Sequence, residues 1–252
     1  MPTSSSAPTA EQLPARTAAV WAALDPLVGA GTPLRVLDVG GGSGMFAVPL
    51  ARLGHDVTVV DPSADALATL RRRAETAGVG PRVHGIQGDG DLLHEALPAG
   101  GQGAGDDGAY DLALCHYVLE VVDDPATTLR EIGGAVRSGG QVSVATANRA
   151  GAVLARAVGG HPVEALALLE DRDTAPARSR PARRRFTPED MLALVQGAGL
   201  QPGKWRGVSV VADLLEATSA DSQAVRALEL ALAEVSPYRD VATGLHVLAL
   251  RP

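Results

Sequence analysis

A run of seven residues, Asp38-Val39-Gly40-Gly41-Gly42-Ser43-Gly44, constrains this chain more than any other stretch. It lies between a short β-branched apolar segment, 34–39, and a helical pattern, 45–53, so it reads as the turn of a strand, turn, helix unit. A turn of that kind aims backbone N–H groups and the positive end of a helix at one spot, and glycine lets a ligand approach the main chain there. The chain beyond the turn keeps the same rhythm. A second strand, 57–60, ends at Asp61 and feeds a helix over 64–77 that Gly78 closes. A third strand spans 83–87, a short helix 91–97 and a fourth strand 112–115. Pro125 opens another helix, and Gly139-Gly140 is expected to end it before a fifth strand, 142–147.

Strands alternating with helices at this spacing predict an α/β fold, a doubly wound Rossmann-like sheet with its ligands at the carboxyl ends of the strands. After Asn148 the alternation breaks into a largely helical stretch, 151–173, and a basic loop, 175–185. We read 148–187 as a helical insertion after strand five, on the substrate side. A helix over 188–197, a strand at 208–211, a helix over 223–235 and a strand at 245–250 complete a seven-stranded sheet with an antiparallel last strand. Residues 13–252 are expected to form this domain, preceded by a disordered Ser/Pro/Ala-rich tail, 1–12. The glycine-rich stretch 99–108 reads as a mobile surface loop.

Composition narrows the partners. The formal net charge of −7 excludes a protein whose whole surface binds nucleic acid, but leaves room for a regional basic patch. Lys204 is the only lysine among 22 basic residues, a skew that reflects coding-sequence composition and discounts arginine counts as chemistry. The single cysteine, Cys115, excludes an internal disulfide and a zinc site built from several thiolates. No metal is expected. Cys115 itself reads as buried packing rather than as a nucleophile. Without a basic and apolar leader, or an apolar run of the ~20 residues that a span requires, the chain is expected to be cytoplasmic.

A nicotinamide dinucleotide site cradles pyrophosphate with G-x-G-x-x-G, but counting from Gly40 puts Met45 where the third glycine belongs. S-adenosylmethionine (SAM) has no phosphate, and its amino acid end needs both donors and acceptors, which Asp38 with Gly40, Gly41, Gly42 and Gly44 supplies. Asp61 is placed to accept from both ribose hydroxyls. Asp89, between Gly88 and Gly90, is placed to accept from the adenine amino group. His116, at the end of the fourth strand, stands at the ligand edge, and with Tyr117 is expected to shape the methyl-transfer pocket. The plain structural alternatives are that the glycines only turn the chain, that the aspartates cap helices and that His116 is a satisfied core histidine.

These residues resemble the bacterial tRNA 5-carboxymethoxyuridine methyltransferases, within the larger class I SAM-dependent methyltransferases. Leu37-Asp38-Val39-Gly40-Gly41-Gly42 is similar to that family's leucine, aspartate and triple-glycine turn. Cys115-His116-Tyr117-Val118-Leu119-Glu120, with Asp124-Pro125, is similar to its histidine-containing segment. The resemblance implies SAM as cofactor and S-adenosylhomocysteine (SAH) as product, with SAM-binding roles for Gly40, Gly41, Asp61, Gly88, Asp89 and His116. It implies that Arg16, five residues before Trp21, binds the cofactor, as a guanidinium paired with the SAM carboxylate would. On the substrate side it points to Asn148, Arg183, Arg184, Arg185 and Tyr238, and to tRNA as a partner through the basic loop that also holds Arg178 and Arg180. That family's arginine-tyrosine pair before the last strand stands here as Gly244-Leu245, and the N-terminal segment is shorter. Read alone, the residues leave open a small-molecule methyltransferase, a SAM-binding scaffold without turnover, and a basic loop that is merely solvated.

Overall fold

The computed structural model describes residues 14–97, 108–170, 183–215 and 222–252. The tail 1–12, nearly all of 99–108, and Arg178 and Arg180 lie outside the described residues.

Helix α1 (Ala18–Val28) precedes strand β1 (Arg35–Val39); α2 (Ala47–Arg52) leads to β2 (Asp56–Asp61) and α3 (Ala64–Thr76) to β3 (Val83–Gln87). Short α4 (Leu93–Ala96) precedes β4 (Tyr110–His116), and α5 (Pro125–Ala135) precedes β5 (Val136–Ala147). Helices α6 (Arg149–Val158) and α7 (Pro162–Leu169) form the insertion, and α8 (Pro188–Gly197) returns to the sheet. The chain closes with β6 (Gln201–Pro202), β7 (Arg206–Val208), α9 (Ser222–Leu232) and β8 (Gly244–Leu250).

The sheet runs β3-β2-β1-β4-β5-β8-β6, with β7 also on β8. The first five strands pair in parallel, and β8 lies antiparallel to β5. The expected doubly wound sheet with an antiparallel last strand and a helical insertion is therefore present, with eight strands rather than seven. The extra one arises because the single strand expected at 208–211 is replaced by two short ladders before Ser209. Pro202 has no N–H to continue the first, and a Cβ at Gly203 would stand 2.8 Å from the Leu248 carbonyl oxygen. Ser209, at φ 57°, leaves the strand conformation altogether.

A second correction concerns β5. Rather than the glycine pair ending the preceding helix, α5 stops at Ala135, and Gly139-Gly140 lies within the strand. There Gly139 takes φ 73°, its N–H donates to the Arg251 carbonyl, and the pairing with β4 shifts register. The glycines thus mark a bend at which β5 takes up the C-terminus.

Alternate residues divide the sheet into two faces. Leu37, Val39, Ala113, Cys115, Val142, Val144 and Val247 pack towards Leu129, Ile132 and Met191 of α5 and α8. Val36, Val57, Val59, Leu112 and Leu114 pack towards Trp21, Leu24, Leu50, Leu67 and Leu70 of α1, α2 and α3. The second face also carries the polar positions that alternate with the first cluster: Asp38, His116, Ser143 and His246. With few aromatics in the chain, the stack of Trp21 on Phe46, centroids 5.0 Å apart, is a notable anchor of α1 on this face.

Candidate functional site

At the carboxyl edge of β1, β4 and β7 a cavity of about 510 Å³ brings together Arg16, Asp38, Gly40, Gly41, His116 and Tyr117. Its walls also include Phe46, Ser209, Asp213 and Thr243. The chain reverses sharply from β1, with Gly40 at φ 68° and its N–H donating to the Val60 carbonyl at 2.7 Å. A side chain at Gly40 would collide with Val118, and one at Gly41 would overlap the Asp38 carboxylate. The glycines therefore hold the main chain directly over that carboxylate.

Asp38 is buried, and its Oδ2 has no hydrogen-bond partner among the described residues. Burial, and secondarily the negative charge of Asp61, push its carboxyl up to about 7. A cavity floor with an unpaired acid and a close-packed glycine turn fits a ligand that brings an ammonium group, as the amino acid end of SAM does.

Asp61 ends β2 with both carboxylate oxygens engaged: Oδ2 accepts from Gly42 N at 2.9 Å and Oδ1 from Ser63 N at 2.9 Å. Ser63 in turn caps α3 through Ala66 N. The cap of α3 is therefore Ser63 rather than Asp61, and each Asp61 oxygen keeps a further lone pair for a hydroxyl. Asp89 is exposed and accepts from Asp91 N at 3.2 Å, while a side chain at Gly88 would stand 2.5 Å from the Ala96 methyl. Asp61, Gly88 and Asp89 follow the sheet edge at the ends of β2 and β3, and they do not line the cavity. Neither do Gly42 and Gly44, which complete the turn.

Arg16 reaches the cavity mouth, where it pairs with Asp213 at 3.1 Å; the same carboxylate accepts from Thr243 Oγ1 at 2.7 Å. The Tyr117 backbone takes φ 59°, and its hydroxyl lies where a side chain at Gly244 would be. The missing side chain at Gly244 is what makes room for it.

The substrate-side expectations fare differently. Asn148 is fully buried: Nδ2 donates to the carbonyls of Asp240 and Ala242, at 3.0 and 2.8 Å, and Oδ1 accepts from Ala150 N. This amide cages 240–242 against α6 and presents no exposed surface to an acceptor. Arg184 is likewise committed, its guanidinium donating to the carbonyls of Val122 and Asp123. Arg185 lines a second, more open hollow of about 620 Å³ beside Arg149 and Phe186. Arg183 is exposed, and Tyr238 stands half-exposed before the 3₁₀ turn Arg239–Val241.

The left-handed backbone of two cavity residues carried no usable sequence signal. Ser209 and Tyr117 are the non-glycine residues with positive φ among the described residues, and both line the cavity. Strained backbone of that kind concentrates at functional sites. The Ser209 hydroxyl is buried without a partner among the described residues, and the N–H groups of Val210, Val211 and Ala212 all donate to the buried Glu229 carboxylate of α9, at 2.7–2.9 Å. Pairing 210–212 with a glutamate 17–19 residues on is invisible to periodicity. His246 did leave a trace, as a lone histidine in the apolar strand 245–250.

A largely parallel sheet with a glycine turn after β1, an acid at the end of β2 and a cavity at the strand ends defines a nucleotide-type ligand site of the doubly wound α/β class. The profile of the methyltransferase domain family matches residues 10–202, and the chain belongs to that family. It is a SAM-dependent methyltransferase, with SAM as its methyl donor. The tRNA 5-carboxymethoxyuridine methyltransferase of Escherichia coli (strain K12) is 29% identical over 245 residues, covering 94% of this chain and 88% of the relative. The ubiquinone biosynthesis O-methyltransferase of Xanthomonas axonopodis pv. citri (strain 306) is 32% identical over 190 residues, 75% of this chain and 69% of that protein. Among solved structures, magnesium protoporphyrin IX methyltransferase from Synechocystis PCC 6803 with bound SAH shares the fold, with a TM-score of 0.59, 15% identity, and 94% and 83% of the two chains covered. No described helix is long and apolar enough to cross a membrane.

Proposed function

We propose that the methyl acceptor is a carboxylate on a modified uridine at the wobble position of tRNA. The observation that carries this reading is the reach of the similarity to the tRNA 5-carboxymethoxyuridine enzyme, 94% of the chain, which extends across the insertion 148–187. Bound SAM supplies a sulfonium methyl already activated for in-line displacement. The work left to this chain is to orient the acceptor and exclude water.

The cavity chemistry supports an acceptor that arrives ionised. Burial holds the His116 imidazole down at about 3, far from the range of a general base near neutrality. Asp213 is ion-paired to Arg16, and Asp38 lies beneath the glycine turn. A phenol, the acceptor class suggested by the ubiquinone relatives, must lose a proton during transfer, whereas a carboxylate has none to lose. On the cofactor side we assign Asp38, Gly40 and Gly41, with Gly42 and Gly44, to the amino acid end, Arg16 to its carboxylate, Asp61 to the ribose, and Gly88 and Asp89 to the adenine edge. His116 contacts the cofactor and, with Tyr117, shapes the transfer pocket. Arg183, Arg185 and Tyr238 present the acceptor side to RNA.

Incubation with labelled SAM and tRNA carrying 5-carboxymethoxyuridine, beside a panel of small phenols and acids, tests this reading. Nucleoside mass spectrometry is expected to detect a methyl-ester uridine that mild base hydrolyses. Transfer to a phenol with none to tRNA would reject the carboxylate acceptor, and failure to bind SAH by calorimetry would reject the cofactor assignments.

A further inference from the structure

Partly buried His116 and fully buried Ser143 and His246, on adjacent strands, form one hydrogen-bonded chain that begins at the cavity. His116 Nε2 of β4 lies 2.8 Å from Ser143 Oγ of β5, and the same Oγ lies 2.8 Å from His246 Nε2 of β8. Neither His116 Nδ1 nor His246 Nδ1 has a partner among the described residues, and Ser143 and His246 are fully buried. The register explains the alignment: Cys115 and His116 pair with Val144 and Ala145, and Ala145 pairs with His246, so all three polar residues emerge on the α1–α2 face.

A serine hydroxyl has one proton. Bridging two imidazole nitrogens, it donates to one Nε2 and accepts from the other, so one ring is the Nε2–H tautomer and the other the Nδ1–H tautomer. We propose that Ser143 and His246 are positioning residues that couple the tautomer of His116 to that of His246, so that His116 Nδ1 acts as donor or acceptor according to its ligand. When Nδ1 of His116 carries its proton, Ser143 donates to His116 Nε2 and accepts from His246 Nε2–H, leaving His246 Nδ1 bare. When Nδ1 of His116 must accept, its proton passes to solvent in the cavity, the Ser143 hydroxyl proton moves to His116 Nε2, the His246 Nε2 proton moves to Ser143, and His246 Nδ1 takes up one proton by exchange with water, so that each ring again holds one. No net charge enters the core in either arrangement. Burial holds both rings neutral, which keeps the bridge in this two-state form.

The inference rests on His116 facing the cofactor site, and ¹⁵N spectroscopy of the whole protein separates the two claims. Histidine-labelled protein, assigned with His116→Gln and His246→Gln, is examined by long-range ¹H–¹⁵N correlation at pH 7 without ligand and through a titration with SAH. The ligand-free protein is expected to show opposite tautomers at the two residues, and SAH is expected to shift both sets of ring-nitrogen signals with one midpoint. In Ser143→Ala the His246 signals are expected to lose their response to SAH while calorimetry still records binding. The same tautomer in both rings overturns the coupling, even if SAH does not bind. So does a His116 response without His246, or no response of either ring at SAH saturation. Absence of calorimetric binding strikes the cofactor assignment alone, because the ligand-free tautomers are read independently.

Discussion

Asp38 is the residue where function costs stability most directly. Its carboxyl, ordinarily at 3.8, stands at about 7 in the fold, so the folded state binds more protons than the unfolded chain between those values. Asp38 therefore leaves stability intact below pH 3.8 and erodes it as pH rises through about 7. Replacing it with asparagine removes a buried charge worth at most about 4 kcal/mol at pH 8. Urea unfolding is expected to find Asp38→Asn more stable than wild type at pH 8, with the gap closing at pH 4, while SAH affinity falls by about tenfold or more. A variant less stable at both pH values would contradict the burial of an uncompensated acid. Asn148 is expected to behave in the opposite way. Asn148→Ala unpairs the carbonyls of Asp240 and Ala242, so it should cost about 2–3 kcal/mol. In steady-state kinetics its KM for acceptor should then change less than its Tm.

At the scale of elements, the cavity wall contributed by 209–213 is held by α9 rather than by the sheet. The Glu229 carboxylate accepts from three backbone N–H groups on its two oxygens, an arrangement that a side-chain amide cannot reproduce because its NH₂ group only donates and would face a backbone N–H. Glu229→Gln is therefore expected to raise amide hydrogen exchange at 210–212 by about tenfold or more, against unchanged exchange in β1. Equal protection in both proteins would mean that the wall holds itself. The split of the expected strand into β6 and β7 belongs here too, since the main chain that should have extended the strand turns at Ser209 to meet Glu229.

Over the whole molecule, a net charge of −7 means that any RNA contact is local. The basic hollow beside α6 has Arg149 and Arg185 on its wall, with exposed Arg183 nearby. Replacing Arg183 and Arg185 with glutamine is expected to weaken tRNA binding and to reduce the slope of log K against log salt by about 1–2. An unchanged slope would place the RNA elsewhere. The α6–α7 hairpin flanks this region with Val158 and Val163 about 80% exposed.

Chain periodicity marked nearly every helix and parallel strand, because hydrophobic alternation and glycine turns are local consequences of burial and backbone sterics. The turn Asp38–Gly44, the acid at Asp61 and the histidine at the end of β4 were legible for the same reason: each stands at a strand end that local pattern defines. Tertiary packing alone decided which of these residues share a cavity. It also spent Asn148 and Arg184 on the fold, twisted Ser209 and Tyr117 into the left-handed region, and joined His116 to His246 through a serine 103 residues distant in the chain from the latter. Those outcomes depend on register between strands far apart in sequence, and no local periodicity encodes a register.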